Sequence, residues 1–314
     1  MPASVMRLCM SVLRRYNVGI ASVHGTGFNA AMKVSDPLES IAHSVHGAGA
    51  PVLFLHGFPQ TRALWDPVVD HLSGITAVTA DLRGYGASWT PEAGADSAAY
   101  SFRAMGEDMF ALMRALGHDR FHLVGHDRGA RVAYRMARDD PDRALSLTLM
   151  DILPTDDLVA AWDYPVSKAY FHWSYLAQPA PFPERMIAAD PDHFFEACLL
   201  GWGGAELADF PAIDTYRAAW RRPESIAGMC HDYRAGVGID LTHDAADAGR
   251  VLDLPALVLW GADGVMARHF DVGAIWAKRL SRMQGDAIPG GHFFVDTTPR
   301  QVADVLQEFL NRHL

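Results

Sequence analysis

Five consecutive residues, Gly125-His126-Asp127-Arg128-Gly129, constrain this chain more tightly than any other stretch. Before them runs Arg120-Phe-His-Leu-Val-Gly, short and apolar in the manner of a strand, and after them Ala130 to Arg138 is a helix-forming run. Glycines on both flanks permit a sharp strand-to-helix turn that lifts the middle side chain over the end of a sheet, as in a G-x-S-x-G elbow. The residue lifted here is Asp127, where serine is usual. A carboxylate so placed can displace a leaving group from an sp³ carbon, leaving an ester that water must then cleave. A five-residue match arises by chance easily, so its weight comes from its setting and from partners elsewhere in the chain.

The setting is an alternation of strands and helices from residue 51 onward. Strands are expected at Pro51–His56, Ile75–Ala80, Arg120–Gly125, Ala144–Asp151, Pro255–Trp260 and Gly285–Pro289. Between them, Phe102–Leu116 carries Phe102, Met105, Met109, Leu112, Met113 and Leu116 on one helical face. A last helix is expected with Thr298 as its cap, Pro299 at its first position, and Val302, Val305, Leu306, Phe309 and Leu310 buried. Such alternation implies an α/β fold, a mostly parallel sheet with helices on both faces. The pattern breaks between about Pro154 and Asp244, a stretch rich in aromatics, proline and short helical pieces. An inserted helical cap over the sheet's C-terminal edge accounts for it, and a cap can exclude water from a cleft. The expected division is an N-terminal extension over 1–40, a core from 41–153 and 245–314, and a cap over 154–244.

Composition narrows the partners. A net charge of −10 over 314 residues, with no basic run, excludes a nucleic-acid surface. No apolar stretch approaches the roughly 20 residues of a membrane helix. Met1 to Ile20 carries Arg7, Arg14 and Arg15, which break any signal-peptide core. Cys9, Cys198 and Cys230 are odd in number and form no C-x-x-C pair, so they are expected to be buried and inert in a reducing, cytoplasmic setting. No metal or cofactor is expected.

Asp127 needs a base, and His292 in Gly290-Gly291-His292-Phe293-Phe294 follows the last expected strand on a flexible glycine pair. Nucleophile first and histidine last is the chain order of the α/β-hydrolase fold. Two acids can orient that histidine: Asp151, ending the strand after the elbow helix, and Asp263 in Trp260-Gly-Ala-Asp after the next strand. Both sit at strand C-terminal ends, and spacing does not choose between them. Oxyanion donors are expected from the backbone N–H groups of Arg128 and of Phe58 in His56-Gly57-Phe58-Pro59. His56 is read as holding that loop, and Asp81-Leu-Arg-Gly-Tyr-Gly-Ala-Ser88 as a turn that packs the fold.

Arg128 and Arg131 stand three apart at the start of the elbow helix, so they can share a face beside Asp127. Two guanidinium groups and a helix N-terminus make an anion site suited to a carboxylate.

His126-Asp127-Arg128-Gly129-Ala130-Arg131, together with Met150-Asp151-Ile152-Leu153-Pro154-Thr155, resembles the fluoroacetate (haloacetate) dehalogenases over roughly residues 50 to 312. The resemblance implies Asp127 as nucleophile, His292 as base, Asp151 rather than Asp263 as the orienting acid, and Arg128 and Arg131 on the substrate carboxylate. It places the halide pocket at His172, Trp173 and Tyr233. One N–H or O–H donor from each suits a small, basic fluoride leaving group. Trp202 is read as cap core. The expected substrate is a small anionic haloacid, haloacetate going to glycolate, and the family suggests a homodimer. The runner-up is an epoxide hydrolase, which shares the Asp–His engine and activates its ring oxygen with two cap tyrosines; Tyr164, Tyr170, Tyr175 and Tyr233 are available. A non-catalytic ligand-binding protein of the same fold is the reading from a different class.

Overall fold

A computed structural model describes residues 36–202 and 204–314. Seven strands form one sheet: β1 (His43–Gly47), β2 (Ala50–Leu55), β3 (Ile75–Ala80), β4 (Phe121–His126), β5 (Ala144–Met150), β6 (Leu252–Gly261) and β7 (Leu280–Ile288). Their order is β1-β3-β2-β4-β5-β6-β7, with β1 antiparallel to β3 and all other neighbours parallel. Central strands β2 and β4 are apolar and buried on both faces, as helices on both sides of a parallel sheet require.

Two apolar clusters fill the two faces. One holds Val52, Phe54, Val124, Met150 and Leu259 against Trp65 and the C-terminal helix (Pro299–Asn311), through Val302, Leu306, Phe309 and Leu310. Thr298 does not cap that helix; its hydroxyl donates back to the Phe294 carbonyl instead. The other cluster packs Leu53, Val78 and Leu123 against Met105, Met109, Leu112 and Met113 of the helix Phe102–Ala115, which Ser101 caps at its N-terminus.

Helices from Thr155 to Ala246 lie between β5 and β6. Their buried residues Trp173, Phe195, Tyr216, Trp220 and Tyr233 belong to the same cluster as Leu53 and Leu123, so this insertion shares a core with the sheet. Among the described residues no helix is long and apolar enough to cross a membrane.

Residues 1–35, with Cys9, lie outside the described residues, but 36–40 do not behave as an extension. Asp36 caps a short helix (Pro37–Ser40), the Ser40 carbonyl accepts from the Trp89 N–H, and Ile41 is fully buried. Cys198 and Cys230 are buried free thiols, both raised by burial far above the range in which a thiol reacts.

Candidate active site

Loops at the C-terminal ends of the parallel strands carry the candidate nucleophile, base, acids and one oxyanion donor: Phe58 after β2, Asp127 after β4, Asp151 after β5, Asp263 after β6 and His292 after β7. This edge is where ligands bind in open α/β sheets. The elbow itself is strained. Asp127 has φ +46°, outside the usual range for a residue with a Cβ, between β4 and the helix Arg128–Asp139. Its glycines serve close packing rather than a left-handed turn. A Cβ on Gly129 would lie 2.2 Å from the Leu55 carbonyl oxygen, and one on Gly125 would lie 2.5 Å from Ala130 Cα. Gly57 makes a third such approach, since a Cβ there would come within 2.5 Å of Asp127 Cβ.

That approach brings the Phe58 N–H onto Asp127 Oδ1 at 3.0 Å. The Arg128 N–H, the other oxyanion donor expected, makes no hydrogen bond to the Asp127 carboxylate. On the other side, His292 Nε2 stands 3.9 Å from Asp127 Oδ2. His292 Nδ1 meets Asp151 Oδ2 at 2.6 Å, and Asp151 Oδ1 accepts from the Gly261 N–H at 2.9 Å. Asp263 is exposed, and its carboxylate accepts from the Gly290 N–H at 3.2 Å, two residues before the histidine. So the histidine's contact is Asp151, and Asp263 secures the loop that carries it.

Electrostatics follow from these neighbours. Burial pushes the Asp127 carboxyl upward, but His292, His126, Arg128 and Arg131 outweigh it and hold the group at about 2. Burial opposes protonation of His292, yet the hydrogen bond and charge of Asp151, with Asp127 beyond, leave its pKa raised above 6.5. His126 is held down to about 4, chiefly by burial, and touches the His292 carbonyl through Nε2 at 2.8 Å. It is therefore a neutral prop under the histidine loop. His56 behaves likewise, with Nδ1 on the Gly57 carbonyl at 2.8 Å and Nε2 accepting from Leu82 N–H at 3.2 Å. The 81–88 turn is also structural, since the Asp81 carboxylate accepts from the Arg62 and Ala87 N–H groups.

Replacing Asp151 by asparagine should lower kcat by about 10²- to 10⁴-fold, because the imidazole loses its orienting acceptor. Asparagine tolerates the φ of +51° at this position, so the fold should persist. Asp263→Asn, at the surface, should stay within about twofold of wild type. Steady-state kcat ranks the two variants, and the reverse ranking would make Asp263 the working acid.

The arginines depart from expectation. Arg128 is fully buried, and its fork is already occupied: Nε donates to Asp232 Oδ2 at 2.8 Å, while Nη2 donates to Asp232 Oδ1 and to the Asp232 carbonyl. Only Nη1 has no partner. Arg131 donates through Nη1 to the Leu153 carbonyl at 3.0 Å and to Thr155 Oγ1 at 2.9 Å, and its Nε is unpartnered. The two guanidinium groups share the Trp173 ring, at 5.3 Å and 4.7 Å from its centroid. They do flank one place, but not as two free forks.

An aromatic wall faces them. The His172, Trp173 and Tyr233 rings lie together, His172–Tyr233 at 5.4 Å and Trp173–Tyr233 at 5.5 Å. Phe58 stacks on His172 at 5.6 Å and meets Tyr233 edge-on at 5.2 Å, which ties the wall to the loop holding Asp127. Burial keeps His172 neutral and Tyr233 protonated, and His172 Nδ1 and the Tyr233 hydroxyl have no partner. Unpaired buried polar atoms are costly unless something fills the space they face.

Residues 50–299 match the family described as alpha/beta hydrolase fold. Fluoroacetate dehalogenase of Burkholderia sp is 50% identical over 270 residues, 85% of this chain and 89% of that one. The chain belongs to the fluoroacetate dehalogenase family of α/β-hydrolase-fold proteins. Soluble epoxide hydrolase of Corynebacterium sp. (strain C12) stands further off, 28% identical over 84% of this chain and 91% of its own length. The solved structure of ALR0039 from Nostoc sp PCC 7120 superposes with a TM-score of 0.84 at 40% identity, covering 86% of this chain and 94% of that one.

Within this dehalogenase-family site, Trp202 is more than cap core. Its ring lies 4.1 Å from His172 and 5.6 Å from His292, and its carbonyl accepts from the His292 N–H at 2.9 Å. Asp232 carried no signal in the sequence beyond its place beside Tyr233. It is 104 residues from Arg128 and becomes its partner only through folding. Asp296 is another such residue: buried, and raised to about 7 chiefly by that burial, it takes hydrogen bonds from Gln60 and from the Tyr216 hydroxyl.

Proposed function

We propose that this protein is a hydrolase acting on carbon–halide bonds whose substrate is a short 2-haloacid, haloacetate being converted to glycolate and halide. The observation that carries the reading is a buried carboxylate, Asp127, beside two buried arginines and the cluster of His172, Trp173 and Tyr233 rings that packs against them. Asp127 Oδ2 attacks the carbon bearing halogen, and the halide leaves with the bonding pair toward His172, Trp173 and Tyr233. Nη1 of Arg128 and Nε of Arg131 are free to hold the carboxylate that aligns this carbon. In the second step His292, oriented by Asp151, takes a proton from water as the oxygen attacks Asp127 Cγ. Charge gathers on Asp127 Oδ1, where the Phe58 N–H already donates and the Arg128 N–H closes as the centre becomes tetrahedral. The bond from Cγ to the ester oxygen then breaks, His292 returns its proton to the departing glycolate oxygen, and the new Asp127 carboxyl gives its proton to solvent, which restores the carboxylate.

Wild-type enzyme should release chloride from chloroacetate with a kcat/KM at least about 30-fold above that for chloroacetamide, because loss of one partner of a buried charge pair costs about 2–5 kcal/mol. Fluoride release from fluoroacetate, with glycolate measured alongside, tests the harder bond. Equal turnover of acid and amide would remove the haloacid reading. An epoxide hydrolase remains the second reading because Tyr170 and Tyr233 are both buried near Asp127, whereas Tyr164 is 79% exposed. Diol formation from a small epoxide without halide release from chloroacetate would favour it. A homodimer, carried by the family resemblance, and a cytoplasmic setting, carried by cysteines odd in number and without a C-x-x-C pair, are part of the proposal, and sedimentation of the purified chain tests the stoichiometry.

A further inference from the structure

We propose that the charge selecting a carboxylate substrate resides on Arg131, while Arg128 is a charge-balanced donor positioned by Asp232. This rests on the haloacid reading above and divides the labour between its two arginines.

The buried Asp232 carboxylate is fully engaged. Oδ2 accepts from Arg128 Nε and from the Tyr85 hydroxyl at 2.6 Å, and Oδ1 accepts from Arg128 Nη2. Tyr85 comes from the 81–88 turn and stays protonated, its pKa raised by burial. The pair is wholly enclosed: Arg128 Cζ lies 4.3 Å from the Tyr233 ring centroid and 4.7 Å from that of Phe102, and a Cβ on Gly236 would come within 3.0 Å of Nη2. The guanidinium can neither turn nor exchange its partner, so its remaining donor Nη1 has one direction. Bidentate arginine–carboxylate pairs confer this kind of geometric definition.

Charge is a separate matter. An anion beside Nη1 meets a cation whose counter-ion lies directly behind it. Because Coulomb energy falls as 1/r, a counter-charge at about twice the distance cancels about half of the attraction. Arg131 has no paired counter-ion of this kind; the anion acting on it is Asp127, which acts on Arg128 as well. Among the described residues it makes no ion pair; its partners are a carbonyl and a hydroxyl, both neutral. Beyond the Asp127 anion that both arginines share, its charge is unpaired, and it packs on the same Trp173 ring as Arg128. An anion therefore keeps only part of its charge advantage at Arg128, whereas at Arg131 no paired carboxylate reduces it.

The test uses paired neutralisation. Arg131→Gln removes the charge that has no paired carboxylate. The double variant Arg128→Gln/Asp232→Asn removes both members of the pair together and leaves no buried ion without its partner, the arrangement that costs most. For each, kcat/KM is measured for chloroacetate and chloroacetamide, and the ratio cancels any loss of folded protein. Arg131→Gln should lower the ratio at least about 30-fold. The double variant should lower kcat on both substrates while keeping its ratio at least tenfold above that of Arg131→Gln. Arg131→Lys, which keeps the charge, should restore most of the ratio. A double variant whose ratio falls as far as that of Arg131→Gln, or an Arg131→Lys variant no better than Arg131→Gln, overturns the assignment. If the double variant fails to fold, Tyr85→Phe decides: it leaves the ion pair and should lower kcat on both substrates with the ratio unchanged, and a selective loss on chloroacetate counts against the proposal. Absence of chloride release from wild type would sink the haloacid reading itself, and binding of acetate against acetamide to the same variants would still settle which arginine carries the charge.

Discussion

His292→Asn should release one equivalent of halide per subunit and then stop. In the proposed mechanism displacement needs only the Asp127 carboxylate, held at about 2 and therefore ionised at any working pH. Cleavage of the resulting ester needs a base within reach of Asp127 Cγ, and His292 is the group standing 3.9 Å from Oδ2. Loss of a general base costs about 10²- to 10⁴-fold. Since asparagine leaves the first step intact, mass spectrometry should find the chain heavier by the carboxymethyl group on Asp127. Multiple turnovers at near wild-type rate would remove His292 from the mechanism.

In the wild type the same division sets the pH dependence. His292 must be neutral to accept a proton, and its pKa is raised above 6.5 by Asp151 and Asp127 against the opposing effect of burial. Ester hydrolysis should therefore weaken as pH falls through that raised value, while the first displacement stays flat between about pH 5 and 9. Rapid-quench measurement of both phases checks this, and an acid limb in the halide burst itself would place a titrating group in the first step.

What the sequence made legible follows from how local each signal is. The elbow was readable because its glycines, its strand and its helix lie within twenty residues, and steric contact at Gly125 and Gly129 demands that composition. Strands β2 to β5 were readable because burial on both faces leaves mostly apolar runs, broken only by Thr, Ser, His or Gly residues. β1 was not: His43-Ser-Val-His-Gly47 is a polar antiparallel edge, exposed toward its end. The early part of β7 was missed because only the residues at its two ends, Leu280 and Ile288, are buried, while Ser281 and Arg282 between them are exposed. Among site residues, Asp151 and Asp263 were equivalent by position, and only the family resemblance favoured the one found at 2.6 Å from His292. The Arg128–Asp232 pair was invisible because it joins the elbow to an inserted helix (Pro223–Gly236) across a long stretch of chain.

Asp127→Asn should have the largest effect of any single substitution, with kcat falling on the order of 10⁴- to 10⁶-fold, as when other covalent nucleophiles are removed. The side chain keeps its shape, and asparagine is among the few residues that tolerate a φ near +46°, so the elbow should fold unchanged. What goes is the charge. An amide oxygen is a poor nucleophile toward an sp³ carbon. Oδ1 can still accept from the Phe58 N–H, so the variant should keep binding substrate while failing to react. Electrostatics sharpen the contrast, because four cationic or polar neighbours that hold the carboxyl at about 2 gain nothing from a neutral amide. Arg128 and Arg131 then meet the substrate carboxylate with no anionic Asp127 beside it. The variant should therefore bind chloroacetate at least as tightly as wild type, which calorimetry can measure without turnover. Residual activity must be separated from deamidation back to aspartate by intact-mass measurement. A variant of verified mass that keeps more than about one per cent of wild-type halide release would show that another group makes the attack.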